Sequence, residues 1–268
     1  MFELDCDMAY LIGALVGDGY ISDRCKSKKD LSKDYRISVE ISDLDYMEKV
    51  LFPLFKNIIS TRSIPKRRKR QGKKESSYFI LRNKNLYLFL TKEIGLIAGK
   101  KEGLVVPKKI TNSSRQIKRS FVAGLFDTDG GFRGRSLGFT MKSKALRNEI
   151  ILLLNERGIS SKGDEWVAKY NGLSYYGLRI AKRDIVNFLK QFPLRNPEKL
   201  ENINQRFFNS CGSAGVVKRA GEDSKEKSAK LRTTQSKKPS GLVPTKVRTL
   251  TPTLIFISLE IVEVKISL

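Results

Sequence analysis

The chain has 268 residues, of which 40% are hydrophobic, so it is long enough to bury a sizeable core in one or two domains. Its 52 Lys and Arg residues outnumber 28 Asp and Glu residues and give a formal net charge of +24. Such a surplus points to a polyanion, either nucleic acid or an anionic membrane. No apolar run reaches the roughly 20 residues that span a bilayer. The acidic start, residues 1–5 (MFELD), resembles neither a secretion signal nor a transit peptide. We therefore expect nucleic acid as the partner and no membrane anchor.

The sequence contains no histidine. This excludes Ser–His and Cys–His nucleophiles, HExxH proteases, His–zinc deaminases and nucleases whose general base is a histidine. The three cysteines, Cys6, Cys25 and Cys211, are far apart and show no CxxC spacing, so neither a zinc site nor a disulfide framework is predicted. They fit a reducing, intracellular compartment. Any hydrolysis must rely on carboxylates, lysines and metal-bound water.

The chain consists of two similar halves followed by an unrelated tail. Each half opens with an apolar helical segment that ends in Asp-Gly, and the two aspartates are Asp18 and Asp129. Alternating segments then predict strands, and segments with helical periodicity predict helices. In chain order these segments are 35–42, 44–55, 77–84 and 86–94 in the first half, and 136–143, 144–157, 174–182 and 184–191 in the second. The repeat predicts an α+β fold in which each half runs helix, two strands, helix, two strands, helix.

The composition places boundaries between these parts. We assign residues 1–102 to the first half, 103–113 to a linker, 114–210 to the second half and 211–268 to a tail. The start of the tail is rich in Lys, Ser, Gly and Ala, which predicts a disordered and dispensable segment. Without the tail the chain has 41 basic and 23 acidic residues, or +18, so the predicted halves carry most of the positive charge.

Small residues recur four positions apart on each opening helix: Gly13 and Gly17 on the first, and Gly124 and Thr128 on the second. Such residues let two helix backbones approach closely, which would bring Asp18 and Asp129 together at the C-terminal ends. We expect Gly19 and Gly130 to end the helices in the left-handed conformation. Two carboxylates at the negative ends of two helix dipoles are unfavourable unless cations bind there.

Divalent metal ions would resolve this conflict if both aspartates and nearby backbone carbonyls, at Gly17 and Thr128, bound them. The ions would also activate water and stabilise the leaving oxygen of a phosphodiester. One Asp-Gly after an apolar helix is usually an ordinary helix end. Two copies in matching contexts, in a chain this basic, favour a metal-dependent nuclease.

The motifs LIGALVGDG (11–19) and VAGLFDTDG (122–130) resemble the paired signature of LAGLIDADG homing endonucleases. The resemblance covers about residues 7–207, and LRNPEKL (194–200) is similar to a segment of archaeal intron-encoded members. It implies two αββαββα halves related by pseudo-twofold symmetry, whose sheets form a saddle over the DNA major groove. The acidic position of the family motif falls on Asp18 and Asp129. The sixth motif position differs between the copies, Val16 and Asp127, and we interpret this difference as one of helix packing.

The resemblance also implies a function. It implies an endonuclease that makes a double-strand break with short 3′ overhangs in the intron-less allele of a host gene, and so promotes intron homing. The expected cofactor is Mg²⁺, with Mn²⁺ able to substitute. The expected enzyme is a monomer on double-stranded DNA, in an archaeal cytoplasm or an organelle matrix.

Other functional classes remain open at this stage. The main alternative is an RNA maturase that assists splicing of its own intron, and intron RNA is left open as an additional partner. Retention of two repelling carboxylates favours the nuclease. A transcriptional regulator would need a helix-turn-helix module, which the tail does not resemble. An intein is disfavoured because the sequence shows no flanking splicing blocks and no histidine.

The family places a lysine near each metal site. The matching candidates for catalytic lysines are Lys101, or its neighbour Lys100, and Lys199. Lys142 is a third candidate, at the end of a predicted strand in the second half. Its counterpart in the first half is Ser42, so we expect the two active sites to be unequal.

Strand alternation predicts which side chains read DNA. It sends Tyr78 and Arg82 to one face of a sheet and Phe79 and Leu81 to the other. The basic run at 66–70 is expected to form a hairpin tip that grips phosphates. The predicted DNA contacts are Arg67, Arg68, Arg70, Tyr78, Arg82, Arg133, Arg135, Tyr175 and Arg179. The aromatic side chains expected in the core are Tyr87, Phe89 and Phe188.

Overall fold

In the computed structural model of the chain, the residues described are 2–23, 33–72, 74–99, 101, 103–169 and 171–207. Cys25, Cys211, Lys100 and the tail predicted at 211–268 lie outside these residues. Within the described ranges, no helix combines the length and the apolar character needed to cross a membrane.

The first half follows the predicted order of elements. They are α1 (Cys6–Asp18), β1 (Gly19–Ser22), β2 (Arg36–Ile41), α2 (Leu44–Tyr46), α3 (Phe52–Ile58), β3 (Lys66–Arg68), β4 (Ser76–Arg82) and α4 (Lys84–Leu88). A π-helical segment, Met47–Leu51, joins α2 to α3, and another, Phe89–Ile94, extends α4. The strands pair antiparallel in the order β1-β2-β4-β3.

The second half repeats this order. After α5 (Lys108–Thr111) come α6 (Arg115–Asp129), β5 (Gly130–Arg133), β6 (Ser136–Met141), α7 (Lys144–Asn155), β7 (Ser161–Val167), β8 (Ser174–Ile180), α8 (Ile185–Gln191) and α9 (Pro197–Phe207). Its strands pair antiparallel in the order β5-β6-β8-β7, the same as in the first half. The predicted α+β fold of two related halves is therefore confirmed. Helix α9 was not predicted.

Helices α1 and α6 join the two halves through a close backbone contact. A Cβ atom added to Gly13 would overlap the carbonyl oxygen of Phe121. A Cβ atom added to Gly124 would likewise overlap the carbonyl oxygen of Tyr10. The predicted role of small residues in helix approach is thus confirmed, since only a hydrogen at these positions leaves room for the opposing backbone.

The predicted left-handed conformation of Gly19 and Gly130 was wrong. Both residues have an extended backbone, with φ −78° and ψ 162° at Gly19 and φ −81° and ψ 162° at Gly130. The reason is that α1 runs directly into β1, and α6 directly into β5. Glycine is required for space instead. A Cβ atom would lie 2.5 Å from the Cα atom of Leu15 at Gly19, and 2.6 Å from the carbonyl oxygen of Phe126 at Gly130.

The predicted linker is a packed connection. It contains α5, and Leu104, Val106 and Ile110 are buried. The Val106 amide donates a hydrogen bond to Oε2 of Glu149 at 2.5 Å, and the Ser143 hydroxyl donates one to the Leu104 carbonyl oxygen at 2.5 Å. Apolar side chains at alternate positions explain why this segment packs despite its helix-breaking residues.

Each sheet packs one face on helices and leaves the other open. In β4, Phe79 and Leu81 are buried, whereas Tyr78 and Arg82 lie on the open face, as strand alternation predicted. The aromatic residues predicted for the core are buried, namely Tyr87, Phe89 and Phe188. The open faces are therefore the surfaces on which charged side chains can meet a large ligand.

Replacing Gly124 with Ala should destabilise the protein, because the new methyl group would overlap the Tyr10 carbonyl oxygen of the neighbouring helix. Overpacking costs about 1–3 kcal/mol, and this outweighs the gain of about 1 kcal/mol for Ala over Gly in a helix. We expect a lower midpoint of thermal unfolding. Gly131→Ala is the control, since a Cβ atom there has nothing within 4 Å. Equal midpoints for wild type and Gly124→Ala would contradict the helix contact.

Candidate functional site

The ends of α1 and α6 place the two predicted aspartates together. Asp18 is the last residue of α1, and Asp129 is the last residue of α6. A Cβ atom on Gly17 would lie only 3.4 Å from the carboxyl carbon of Asp129, so the end of one helix borders the carboxylate of the other. The Asp18 side chain reaches solvent, and Asp129 is half-buried. The pair is thus accessible but closely surrounded by protein.

Both carboxyl groups are biased towards the neutral form. Burial, followed by the nearby charge of Asp18, raises the pKa of Asp129 to about 7, although Lys101 and Lys199 act in the opposite direction. Burial also raises the pKa of Asp18, whereas the charges of Lys101 and Lys199 lower it. Asp18 itself contacts solvent, so the protein atoms around its carboxylate limit hydration only in part. A divalent cation would favour the charged forms of both groups.

Lys101 lies at the end of α1. Its Nζ atom donates hydrogen bonds to the carbonyl oxygen of Val16, at 3.1 Å, and to that of Gly17. An ammonium group is favourable there because it faces the negative end of the helix dipole. Burial lowers the pKa of Lys101, an effect opposed by Asp129 and Asp18. The lysine predicted for the first half is therefore at the site.

Lys199, on α9, lies at the end of α6 in the same manner. Its Nζ atom donates hydrogen bonds to the carbonyl oxygens of Phe126 at 2.8 Å, Thr128 at 2.8 Å and Gly130 at 2.6 Å. Burial lowers the pKa of Lys199, and the aspartates around it, Asp127 first, oppose that effect. The unpredicted helix α9 is what carries this lysine to the site.

The donor set fits hard divalent cations. In the described ranges no group of three or more Asp, Glu or Cys side chains is placed to hold a metal ion. Asp18 and Asp129 offer carboxylate oxygens, which suits ions such as Mg²⁺ that bind one or two carboxylates and keep water or phosphate as further ligands. The carbonyl oxygens predicted as ligands, at Gly17 and Thr128, accept lysine hydrogen bonds, but each has a second lone pair.

A cavity of about 440 Å³ opens beside Asp129. Its walls include Gly17, Tyr20, Lys101, Lys142 and Tyr175. Lys142 is exposed on this wall, and its charge contributes to lowering the pKa of Lys101. Ser42, its counterpart in the first half, is exposed and carries no charge. The structure therefore places Lys101 and Lys199 at the two helix ends that carry the aspartates, and Lys142 on the wall of the cavity beside Asp129.

On the first sheet, the predicted DNA contacts are held by carboxylates. Arg68 stacks over the ring of Tyr78, with 4.4 Å between its guanidinium carbon and the ring centroid. Arg70 pairs with Glu40 at 2.9 Å, and Arg68 pairs with the same carboxylate at 3.6 Å. Arg82 pairs with Asp34, whose carboxylate it reaches at 2.8 Å. These contacts orient the arginines on the open face of the sheet.

On the second sheet, one carboxylate serves two arginines. Asp164 on β7 pairs with Arg179 at 2.8 Å and with Arg133 at 3.4 Å. Arg133 also lies over the ring of Trp166, 4.7 Å from its centroid, and is half-buried. Of the remaining predicted contacts, Arg135 is exposed in the turn between β5 and β6. Tyr175 lies on β8 and stacks on Trp166.

Arg67 does not lie on the open face of the sheet with the other predicted DNA contacts. It pairs with Glu48 of the helical layer at 2.9 Å, because its position on β3 is opposite Ser77 of β4, which is buried. Arg67 therefore lies on the helix side of the sheet. The basic run at 66–70 covers β3 and the two residues after it, and the turn follows at 71–72. The expectation of a hairpin tip was too simple, since strand alternation applies within the run.

Comparison with known proteins assigns the fold. A family model described as a LAGLIDADG-like domain matches residues 116–193. This match covers most of the second half. The homing endonuclease I-DmoI, in complex with DNA and Mn, has a TM-score of 0.56 and 19% identity over 71% of this chain and 97% of its own. The homing endonuclease I-WcaI, bound to its DNA recognition sequence, has a TM-score of 0.52 and 16% identity over 77% of this chain and 88% of its own. The described chain has the two-half LAGLIDADG fold of these enzymes.

Sequence similarity to curated proteins is confined to short stretches of them. A DNA polymerase from Thermococcus kodakarensis is 26% identical over 163 residues, which is 60% of this chain and 9% of that protein. This chain spans about a tenth of the length of the curated relatives it matches. Their overall activities therefore do not transfer to the LAGLIDADG fold described here.

Sequence reasoning missed the acidic residues on the open faces of the sheets and behind the aspartate pair. Asp34, Glu40 and Asp164 orient arginines on the open faces. Asp34 and Glu40 are an even number of positions from Arg36 on β2. Strand alternation could therefore have placed all three side chains on the same face of the sheet. Asp127 was interpreted as a helix-packing residue, whereas its carboxylate accepts hydrogen bonds from two other segments. No local pattern reveals that role.

The raised pKa of Asp129 predicts a pH-dependent loss of stability. Between its ordinary value of 3.8 and about 7, the folded protein binds more protons at this residue than the unfolded chain does. Stability is therefore lost as the pH rises through this window. Without metal, Asp129→Asn should unfold at a higher temperature than wild type at about pH 8, and the difference should shrink towards about pH 4.

Added Mg²⁺ should raise the unfolding midpoint of wild type and leave that of Asp129→Asn nearly unchanged, because the variant lacks one carboxylate ligand. Thermal unfolding followed by circular dichroism measures both effects. Asp45→Asn is the matched control, since Asp45 is exposed and pairs only with Lys49 in the described contacts. Equal midpoints of wild type and Asp129→Asn at about pH 8 without metal would contradict the raised pKa.

Proposed function

We propose that this chain is a site-specific homing endonuclease that uses divalent metal ions to cut both strands of a long DNA site. The observation that carries the proposal is the pair of aspartates at two adjacent helix ends, each with a lysine on the helix-end carbonyls. A protein that only binds nucleic acid has no need to hold two repelling carboxylates together. Metal-dependent hydrolysis of a phosphodiester, in contrast, needs such a pair of carboxylates to hold the metal ions.

Within this proposal each residue has a chemical task. Asp18 and Asp129 hold the ions through carboxylate oxygens. When bound, Mg²⁺ supplies a Lewis acid for the phosphoryl oxygen and an activated water as nucleophile. Lys101 and Lys199 fix the helix ends through their Nζ atoms and offset the negative charge that develops on the phosphate. Lys142 adds a further cation on the cavity wall beside Asp129.

The open faces of the sheets are the proposed DNA-binding surfaces. Arginines that are already oriented by carboxylates are suited to base edges, because bidentate contacts need a fixed guanidinium plane. Arg82 and Arg179 are of this kind. Arg135, which is exposed in a turn, is suited to phosphate. The formal net charge of +24 favours association with a polyanion.

The finer details form part of the same proposal. The structural neighbour I-DmoI is described in complexes with DNA and Mn, and with DNA and Ca, which supports a divalent cofactor. We assign Mg²⁺ as the native ion, with Mn²⁺ as a substitute. The enzyme acts as a monomer with internal pseudo-twofold symmetry and leaves 3′ overhangs in the intron-less allele of its host gene. It acts in the compartment that contains this DNA, either an archaeal cytoplasm or an organelle matrix.

Plasmid cleavage tests the proposal. The substrate is a plasmid that carries the intron-less allele, incubated with Mg²⁺ and wild type, Asp18→Asn or Asp129→Asn. Wild type should give linear DNA. Each variant should lose double-strand cleavage by about 100-fold or more, because about 3 kcal/mol of transition-state stabilisation is removed. Asp45→Asn, an exposed aspartate on the first half, should cut like wild type.

The outcomes separate the two functional classes. Nicked DNA accumulating with one aspartate variant would assign that residue to one strand. If wild type does not cut DNA but binds intron RNA tightly, the maturase becomes the better assignment. Equal cleavage by wild type and both aspartate variants would contradict the proposed active site.

A further inference from the structure

A buried carboxylate lies behind the aspartate pair and is not used in the mechanism above. Asp127 is on the buried side of α6 and is 1% exposed. Its Oδ2 atom accepts a hydrogen bond from the hydroxyl of Tyr10, on α1, at 2.5 Å. The Tyr10 hydroxyl is in turn 2.9 Å from the hydroxyl of Tyr46, on α2. Asp127 therefore connects α6 to two elements of the first half.

The same oxygen holds the turn that precedes α9. Oδ2 of Asp127 accepts the backbone amide of Arg195 at 2.6 Å and that of Asn196 at 3.1 Å. The Asn196 side chain donates a hydrogen bond from Nδ2 to the Asp127 carbonyl oxygen at 3.1 Å. Asn196 is itself 1% exposed. Three bonds to one residue thus fix this turn, two to its side chain and one to its backbone.

Lys199 is only three positions after Asn196, the last residue of this turn. Oδ1 of Asn196 accepts the backbone amide of Lys199 at 3.0 Å, so the residue that bonds Asp127 also caps the first turn of α9. Arg195 is held from the first half as well, by Asp7 at 2.7 Å and by the ring of Tyr10, 4.5 Å from its guanidinium carbon. The path from Asp127 to the Lys199 ammonium group is therefore short and consists of buried or half-buried contacts.

We propose that Asp127 is a positioning residue for Lys199: its carboxylate fixes the turn at 195–196 and thereby holds the Lys199 ammonium group at the end of α6. Its consequence for cleavage rests on the proposed function. A donor or acceptor displaced by about 1 Å can lower a rate by about 100-fold. A residue that touches neither metal nor DNA can thus control one of the two active sites.

Among the described residues of the first half, the corresponding position does not provide such an acceptor. The position that corresponds to Asp127 is Val16, whose side chain cannot accept a hydrogen bond. Val16 is buried, and its carbonyl oxygen accepts a hydrogen bond from Lys101. The two lysines therefore reach their helix ends by different means, and a change at position 127 should affect only the site that contains Lys199.

Two substitutions at this position separate its hydrogen bonds from its charge. Oδ1 of Asp127 has no hydrogen-bond partner among the described residues, whereas Oδ2 has three donors. In Asp127→Asn the side-chain oxygen can replace Oδ2, and the amide nitrogen can take the place of Oδ1 without losing a bond. Asp127→Ala removes the oxygen that accepts all three hydrogen bonds. We therefore expect Asn to retain the turn and Ala to release it.

The cleavage test follows each strand separately with end-labelled DNA. Asp127→Ala should slow the same strand that Lys199→Met slows, by about 10- to 100-fold, and leave the other strand within about threefold of wild type. Asp127→Asn should stay within about fivefold of wild type on both strands. The double variant Asp127→Ala/Lys199→Met should be no slower than Lys199→Met alone. Asp127→Ala combined with Lys101→Met should slow each strand as much as the corresponding single variant does, because the two changes act on different sites.

A second measurement is independent of cleavage. Amide hydrogen exchange in full-length protein should accelerate by about 10-fold or more at residues 195–199 in Asp127→Ala, with no change in α7. Unchanged exchange at 195–199 would overturn the proposal, as would equal slowing of both strands or additive effects with Lys199→Met. If wild type cuts neither strand, the proposed function fails, while hydrogen exchange still decides whether Asp127 holds the turn.

Discussion

The contact between α1 and α6 determines where the functional groups lie. Two helices approach until backbone carbonyl oxygens occupy the space that side chains would take at Gly13 and Gly124. Because each helix runs directly into the first strand of its sheet, this one contact sets the position of both sheets relative to the helix ends. It also forces Asp18 and Asp129 into a shared environment. The close packing and the chemistry are thus consequences of the same interface.

That environment is electrostatically unfavourable without a cation. Each aspartate follows the carbonyl groups at the negative end of a helix, and burial raises the pKa of both. Lys101 and Lys199 relieve part of the conflict by donating to the helix-end carbonyls, but their own burial lowers their pKa. The site therefore combines groups whose charges are each disfavoured by burial. Such a combination is typical of a functional site rather than of a stabilising ion pair.

Much of the fold could be predicted from the sequence because the two halves repeat. The order of helices and strands and the faces of β4 follow from hydrophobic periodicity, which is a local property. The pairing of Asp18 with Asp129 also could be predicted, since both end an apolar helix with small residues at matching positions. The conformation of Gly19 could not, because Asp-Gly at a helix end suits either a left-handed turn or a direct entry into a strand.

Long-range contacts account for the rest. Arg67 faces the helices because its register on β3 places it opposite Ser77, which no pattern within the basic run reveals. The hydrogen bonds of Asp127 join segments that are 68 and 117 positions apart in sequence. Helix α9 begins with Pro197 and its apolar residues have helical spacing, but its place at the end of α6 depends on the distant contacts of Asp127. These features depend on tertiary packing rather than on local sequence.

Anomalous diffraction from crystals of the full-length protein grown with Mn²⁺ tests the central claim most directly. The aspartate pair at the ends of α1 and α6 should give the strongest anomalous peak, in contact with carboxylate oxygens of both Asp18 and Asp129. Crystals of Asp129→Asn grown in the same way should lose that peak. A strongest peak on other residues, or an unchanged peak in Asp129→Asn, would contradict the claim that the helix contact builds a metal site.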